Sequence, residues 1–377
     1  MADELVLTNA RLVLADRIVT GSICIRDGVI TALDEGPARG IDCEGDLIIP
    51  GLVELHTDQV EAHYTPRPGV RWPAPFAIQA HDAQVIGSGI TTVFDALCLG
   101  VGEQRLSSAD LRELVATTTA VQRDGHLKAE HFTHLRCETS SQDITEAICF
   151  FEGDPSVRLA SLMDHAPGQR QFVSLEKHRE YYQGAYGMCD AEYEKFVGDR
   201  QAQSLKLGPP NRAAVVAYCQ ANDIMLASHD DATTDHVAEA IDDGVRIAEF
   251  PTTHEAAGAS HAAGMAVLMG APNLVRGQSH SGNIGARELA AAGHLDILSS
   301  DYVLLSLLQA AFLLPQLGLG YDLPRAIALV TRNPAEAVGL SDRGQLSLGR
   351  RGDLVRLREA PHGPVVKAVW REGARVA

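Results

Sequence analysis

Residues 48–58 read Ile48-Ile49-Pro50-Gly51-Leu52-Val53-Glu54-Leu55-His56-Thr57-Asp58. Pro50 and Gly51 mark a turn, Leu52 to Leu55 make a short apolar strand, and the strand ends in His56 and Asp58. Side chains two apart in a strand point to one face, so the imidazole and the carboxylate converge. Two converging ligand-type groups at a strand's C-terminal end are the start of a metal site. The same pair alone also describes a surface His and Asp after a buried strand. The rest of the chain decides between them.

Downstream the sequence repeats an apolar strand, a polar loop and a helix. Predicted strands cover 53–55, 91–97, 131–137, 159–163, 224–228, 246–250, 266–269 and 296–299. Predicted helices lie around 77–88, 211–221, 235–242, 255–263, 286–292 and 304–314, the third opened by the capping residues Thr233, Thr234 and Asp235. Strands alternating with helices pair in parallel, and eight such units fit a (β/α)8, TIM-like barrel within residues 51–340. The alternative is a doubly wound open sheet, but no Gly-x-Gly-x-x-Gly follows an early strand.

The ends of the chain differ from the middle. Residues 4–33 hold short β-type runs broken by Asp27-Gly28, a hairpin signal, and residues 349–358 and 365–371 read as strands too. Residues 1–50 and 341–377 are therefore expected to build one small β-sandwich domain from both termini. Residues 165–208 also depart from the repeat. As a long βα connection they are expected over the active-site face, either as a lid or as an amphipathic helical excursion.

The chain has 377 residues, 45% hydrophobic and 21% charged, with a formal net charge of −17. That charge argues against nucleic-acid or anionic-membrane partners, but not against a small anionic substrate held by local arginines or a metal. The seven cysteines include no Cys-x-x-Cys, so neither a disulfide framework nor a thiolate zinc site is indicated. The first residues lack a signal peptide's basic start and apolar run, and no apolar run is long enough to span a membrane. A cytoplasmic enzyme is expected. Homo-oligomerisation stays open.

Other predicted strands also end in ligand-type residues: Asp95, Glu138, Asp164-His165, His229-Asp230-Asp231 and Asp301. Charged groups repeated at strand ends need partners. His56, Asp58, Glu138, His229 and Asp301 together offer nitrogen and oxygen ligation for one or two divalent ions, with zinc expected and manganese or iron as alternatives. Such an ion lowers the pKa of water from 15.7 to about 7 in favourable cases. Asp301 is then expected to accept the water's proton, as a ligand or from beside the ion. His254 and His280 follow strands six and seven as further ligands or substrate contacts; a helix-capping role for His254 is equally open. Arg67 and Arg71 lie in the proline-stiffened stretch His63 to Pro73, where rigid guanidinium groups suit phosphate oxygens.

The residues Pro50-Gly-Leu-Val-Glu-Leu-His-Thr-Asp58, Gly89-Ile-Thr-Thr-Val-Phe-Asp95, His229 and Asp301 resemble the amidohydrolase superfamily. Within it, Pro66-Arg-Pro-Gly-Val-Arg-Trp-Pro73, His134-Leu-Arg-Cys-Glu138, Glu176-Lys-His-Arg-Glu-Tyr-Tyr182, Glu249-Phe-Pro-Thr-Thr253 and Ser279-His-Ser-Gly-Asn283 are similar to the diphosphatases of phosphonate catabolism in the carbon–phosphorus lyase pathway. The resemblance implies hydrolysis of α-D-ribose 1-methylphosphonate 5-triphosphate to the 5-phosphate and pyrophosphate. It also implies that Arg67, Arg71, Lys177 and Arg179 neutralise the triphosphate, with Glu138 in the bridging position. Most of the superfamily carries His-x-His at strand one, whereas this chain has His56-Thr57-Asp58, an oxygen in place of a nitrogen. The competing expectations are a cyclic amidohydrolase or deaminase using the same water on carbon, and a non-catalytic barrel.

Overall fold

The structure, a computed structural model, describes residues 4–34, 36, 38–100, 106–167, 170, 179, 189–279 and 282–377. In the N-terminal part, alternating apolar residues form β1 (Glu4–Val13), β2 (Ile18–Arg26), β3 (Val29–Asp34), β4 (Ile41–Asp42) and β5 (Leu47–Pro50). The chain then enters eight parallel strands: β6 (Leu52–Thr57), β7 (Ile90–Leu99), β8 (Glu130–Glu138), β9 (Val157–Met163), β10 (Met225–His229), β11 (Ile247–Glu249), β12 (Ala266–Gly270) and β13 (Ile297–Ser299). It returns to the first sheet as β14 (Leu354–Ala360), β15 (Gly363–Arg371) and β16 (Ala374–Arg375).

Period-two side-chain alternation explains how the terminal sheet buries both faces. Its order is β16-β15-β14-β5-β1-β2-β3, with β4 beside β1. Leu47 and Ile49 of β5 join Val355 and Val369 in a core shared with the barrel's helices. Ile48, between them, packs with Leu12, Ile23, Ile25, Leu354 and Trp370 in a second core. Residues from both ends of the sheet meet in that second core, so the sheet curls onto itself.

The parallel strands follow one another in order from β6 to β13, and each supplies an inward apolar residue. Val53, Leu55, Phe94, Leu159, Ala227, Ile247, Leu268 and Ile297 form this interior, with Phe132 packed against it. Closure is made at one end. Asp301 N donates to His56 O at 3.0 Å and Asp58 N donates to Asp301 O at 3.2 Å, bridging β6 to the residue that follows β13. The barrel is nearly closed, and its seam lies where the first expected ligands stand.

Two expectations about elements change. The helix expected over 211–221 runs from Asp190 to Ala221 and passes through Pro209 and Pro210. Proline removes an intrahelical donor, but this helix is held from outside. Ser204 Oγ donates to Asp164 Oδ2 at 2.5 Å, and Asn211 Nδ2 donates to the carbonyls of Thr139 and Ser141 at 2.8 and 2.7 Å. Residues 190–208 of the expected lid are thus helical and lean on the segments after β8 and β9. Asp95 is the second change. β7 continues to Leu99, so Asp95 lies mid-strand and faces outward to His81 and His131, at 2.7 and 2.8 Å.

Candidate metal centre

His56, Asp58, Arg136, His229, Asp230, Phe250, Gly270 and Asp301 surround a cavity of about 500 Å³ at the C-terminal ends of the strands. Three of these residues adopt left-handed backbone conformations: Asp230 (φ 58°), Phe250 (φ 51°) and Asp301 (φ 54°). Each is held there by a ladder-like hydrogen bond, from Asp230 N to Glu249 O, Phe250 N to Leu268 O and Asp301 N to His56 O. For a residue as bulky as phenylalanine this is a strained backbone, and such strain collects where side-chain aim matters. The Phe250 ring lies 5.0 Å from the His56 ring and 5.3 Å from the His229 ring, centroid to centroid.

His56 is fully buried, and its Nδ1 faces Glu249 Oε1 at 3.2 Å. That leaves Nε2 facing the cavity, 3.9 Å from Asp58 Oδ1. Burial opposes a charge on His56, but the Glu249 carboxylate outweighs it and raises the imidazole above its ordinary value. Glu249 is itself buried; His134 and His56 overcome that penalty and hold its carboxyl far below the usual range. Burial pushes His134 down to about 3, so it stays neutral between Leu55 O and Ser161 Oγ.

His229 shows a similar division of its two nitrogens. Nδ1 faces Asp230 Oδ2 at 2.8 Å, whereas Nε2 is buried without a hydrogen-bond partner among the described residues. An orphaned buried imidazole nitrogen is costly unless something ligates it, and a carboxylate on the far nitrogen is the usual support of a metal-bound histidine. His56, Asp58 and Asp301 bring one donor atom each within 4.8 Å of one another, and so do His56, His229 and Glu249. The donor set therefore suits a divalent ion.

Glu138 stands back from that group. Its carboxylate accepts from Ser140 Oγ at 2.6 Å and faces His165 Nδ1 at 3.0 Å. Burial is outweighed by the His165 contact, which lowers Glu138 to about 2. His165, half-buried, loses solvation there too, but Asp230 and Glu138 outweigh that and raise it to about 9. His165, His229 and Asp230 make a further potential ligand group, so Glu138 supports a ligand-type residue and does not itself join the first cluster.

The expected substrate contacts are distributed differently. Arg71 donates to Thr65 Oγ1 at 2.7 Å and reaches Asp110 at 3.5 Å, beside the Tyr64 ring. Arg67 shares a small bridge with Val70. Arg71 thus ties the proline-rich stretch to the helix Ser108–Arg123, and neither arginine is among the described residues lining the cavity. His254 opens the helix His254–Ala262 and faces Glu288 Oε2 at 3.6 Å, in solvent. Arg179 sits over the Tyr193 ring and near Asp190 and Glu194. Lys177 and His280 lie outside the described residues.

The cavity has cations that the motif reading passed over. Arg136 and Arg276 both line it, with Asn273, Gln278, Ser279 and Asn283. Arg136 was legible: His134, Arg136 and Glu138 alternate along β8 and share its inward face. Glu249 carried a fainter signal, as an acid closing a three-residue apolar strand.

The chain belongs to the amidohydrolase family. Residues 209–377 match that family directly. Over 379 aligned residues the chain is 46% identical to alpha-D-ribose 1-methylphosphonate 5-triphosphate diphosphatase of Escherichia coli (strain K12), covering 99% of this chain and all of that protein. Its fold is shared with 5-methylcytosine deaminase from Klebsiella pneumoniae at a TM-score of 0.67, 16% identity, 99% of this chain and 97% of that one. It is also shared with N-acetylglucosamine-6-phosphate deacetylase from Thermotoga maritima at a TM-score of 0.62, 14% identity and 99% of each chain.

Proposed function

We propose that this protein is a metal-dependent hydrolase that converts α-D-ribose 1-methylphosphonate 5-triphosphate to the 5-phosphate and pyrophosphate. One observation carries the proposal: 46% identity to a diphosphatase of that substrate, end to end. The alignment with the E. coli protein runs through both the barrel and the terminal sheet of this chain.

In this reading His56, Asp58, His229 and Asp301 hold a divalent ion, zinc by its mixed nitrogen and oxygen donors. The ion would supply Lewis-acid polarisation of water and of phosphoryl oxygens. Asp301 takes one proton from the attacking water, whose oxygen bonds to the α-phosphorus. The bond from that phosphorus to the bridging oxygen breaks, and the leaving pyrophosphate keeps the electron pair. Arg136, buried in the wall of the cavity and paired with Asp58, holds that carboxylate in place. Glu249 and Asp230 fix the two imidazoles so that Nε2 points inward in both.

The test is an assay of metal-loaded protein for pyrophosphate release from ribose 5-triphosphates, run beside ring opening of hydantoin and dihydroorotate. Pyrophosphate release abolished by Asp301→Asn supports the proposal. Ring opening without pyrophosphate release would replace it with a cyclic amidohydrolase.

A further inference from the structure

A chain of net charge −17 presents a cavity with Asp58, Asp230 and Asp301 in its wall. A polyphosphate entering it meets repulsion that an ion at the strand ends offsets only locally. Cations placed farther out would have to meet the distal phosphates. Among the described residues, Arg136 and Arg276 are the arginines of the lining, and the chain has no lysine there. Arg136 is buried and its Nη1 is already engaged by both oxygens of Asp58. Arg276 is exposed and has no hydrogen bond or ion pair among the described residues.

The position of Arg276 follows from the helix that carries it. Ala271–Arg276 springs directly from the end of β12, where a Cβ on Gly270 would lie 3.7 Å from Asp301 Oδ2. Six residues at helical rise set Arg276 about 9 Å along the helix from that point. The helix ends at Gly277, whose φ of 83° suits a left-handed cap. A basic residue in a last turn commonly serves the terminal carbonyls, but here that work belongs to another side chain. Arg287 donates from Nε to Leu274 O at 2.8 Å and from Nη2 to Val275 O at 3.0 Å. Arg276 is thereby released from capping. Nearby, Asn273 Oδ1 accepts from Ala286 N at 2.9 Å, which anchors the amide and leaves its Nδ2 as the donor toward the cavity.

We propose that Arg276, assisted by Asn273, binds the terminal phosphates of a triphosphate substrate and selects it over the shorter diphosphate. This rests on the function proposed above and adds the subsite for the leaving group. A methylphosphonate ester carries one ionisable oxygen, whereas the terminal two phosphates carry several, so the outer cation and its amide neighbour match the leaving end. The guanidinium interacts with pyrophosphate both before and after the bond breaks. It therefore acts mainly through binding.

The experiment compares wild type with Arg276→Gln and Arg276→Lys in two ways. Binding of inorganic pyrophosphate and tripolyphosphate to the metal-loaded proteins is read by calorimetry, and steady-state kinetics are read on ribose 5-triphosphate and ribose 5-diphosphate substrates. Arg276→Gln is expected to weaken tripolyphosphate binding and to raise KM for the triphosphate by about tenfold to a hundredfold, the scale of one charge-assisted contact. The KM for the diphosphate and the metal content stay near wild type, and Arg276→Lys recovers part of the loss. Unchanged polyphosphate binding in Arg276→Gln, equal losses on both substrates, or no polyphosphate binding by wild type would each overturn the proposal. Should wild type bind polyphosphate in an Arg276-dependent way yet release no pyrophosphate, the proposed function fails while the anion subsite stands.

Discussion

Arg136 Nη1 donates to both carboxylate oxygens of Asp58, at 2.7 and 2.9 Å, across 78 residues of sequence. Arg136 is buried on β8, and Asp58 follows β6. The pair fixes the carboxylate at the end of β6, so in the proposed site the guanidinium would support an oxygen donor. Burial disfavours the charged arginine, but Asp58 more than restores it and raises its pKa. Replacing Arg136 by methionine keeps much of its bulk and removes both hydrogen bonds. Metal affinity in Arg136→Met is expected to fall about 10- to 100-fold, measured by competition with a chelator. An unaltered affinity would show that Asp58 is held by the ion alone.

Glu249 has the corresponding role for His56. Glu249→Gln keeps the shape of the side chain but loses the charge that raises the imidazole. The His56 titration, followed by NMR in the metal-free protein, should move to lower pH, and metal affinity should drop about tenfold or more. A His56 titration that does not move would assign its support elsewhere.

A second buried network lies outside the cavity, between the sheet and the helix Ala74–Gly87. His131 faces Asp95 through Nδ1 at 2.8 Å and Asp82 through Nε2 at 3.3 Å. Burial opposes its charge, yet Asp95 and Asp82 raise it to about 9. The unfolded value is about 6.5. A group raised on folding adds stability that is complete below its unfolded pKa and disappears as pH rises through the folded one. The unfolding free energy should therefore fall between about pH 6.5 and pH 9, by at most about 1.4 kcal/mol per pH unit from this group, and the melting temperature with it. In His131→Asn the slope over the same window should shrink to the part supplied by other raised histidines such as His165, and the protein should be less stable at pH 7. An identical slope in the variant would place its source in another group.

Gly51 is required by close approach. A Cβ there would lie 2.1 Å from Thr91 Oγ1 and 2.7 Å from Thr91 Cγ2, and Thr91 is buried, with a β-branched side chain whose χ1 is restricted. Gly51→Ala is expected to cost about 1–3 kcal/mol in chemical denaturation. Adding Thr91→Ala should recover part of that loss, a non-additivity that marks direct contact. Strictly additive losses would contradict it.

Period two in a strand and alternation of strands with helices are local properties, and they were enough to place His56 and Asp58 together and to anticipate eight parallel strands. His229 and Asp301 were legible for the same reason, since each closes an apolar run. Asp95 was misplaced because its apolar run continues four residues farther to Leu99, which turns a presumed rim residue into an outward one. The arginines of the proline-rich stretch were assigned to phosphate by proximity in sequence, whereas Asp110 and Thr65 claim Arg71 in space.

The sequence by itself determined which side chains sit on which face of each strand, because backbone geometry sets that within a few residues. Tertiary structure alone decided how those faces meet. Closure of the barrel at His56 and Asp301 sets Glu249 against His56 across 193 residues and Arg136 against Asp58 across 78. It also sends Nε2 of His229 inward while Asp230 takes Nδ1. Such pairings depend on strand register, tilt and the strained ends at Asp230, Phe250 and Asp301, none of which has a local signature.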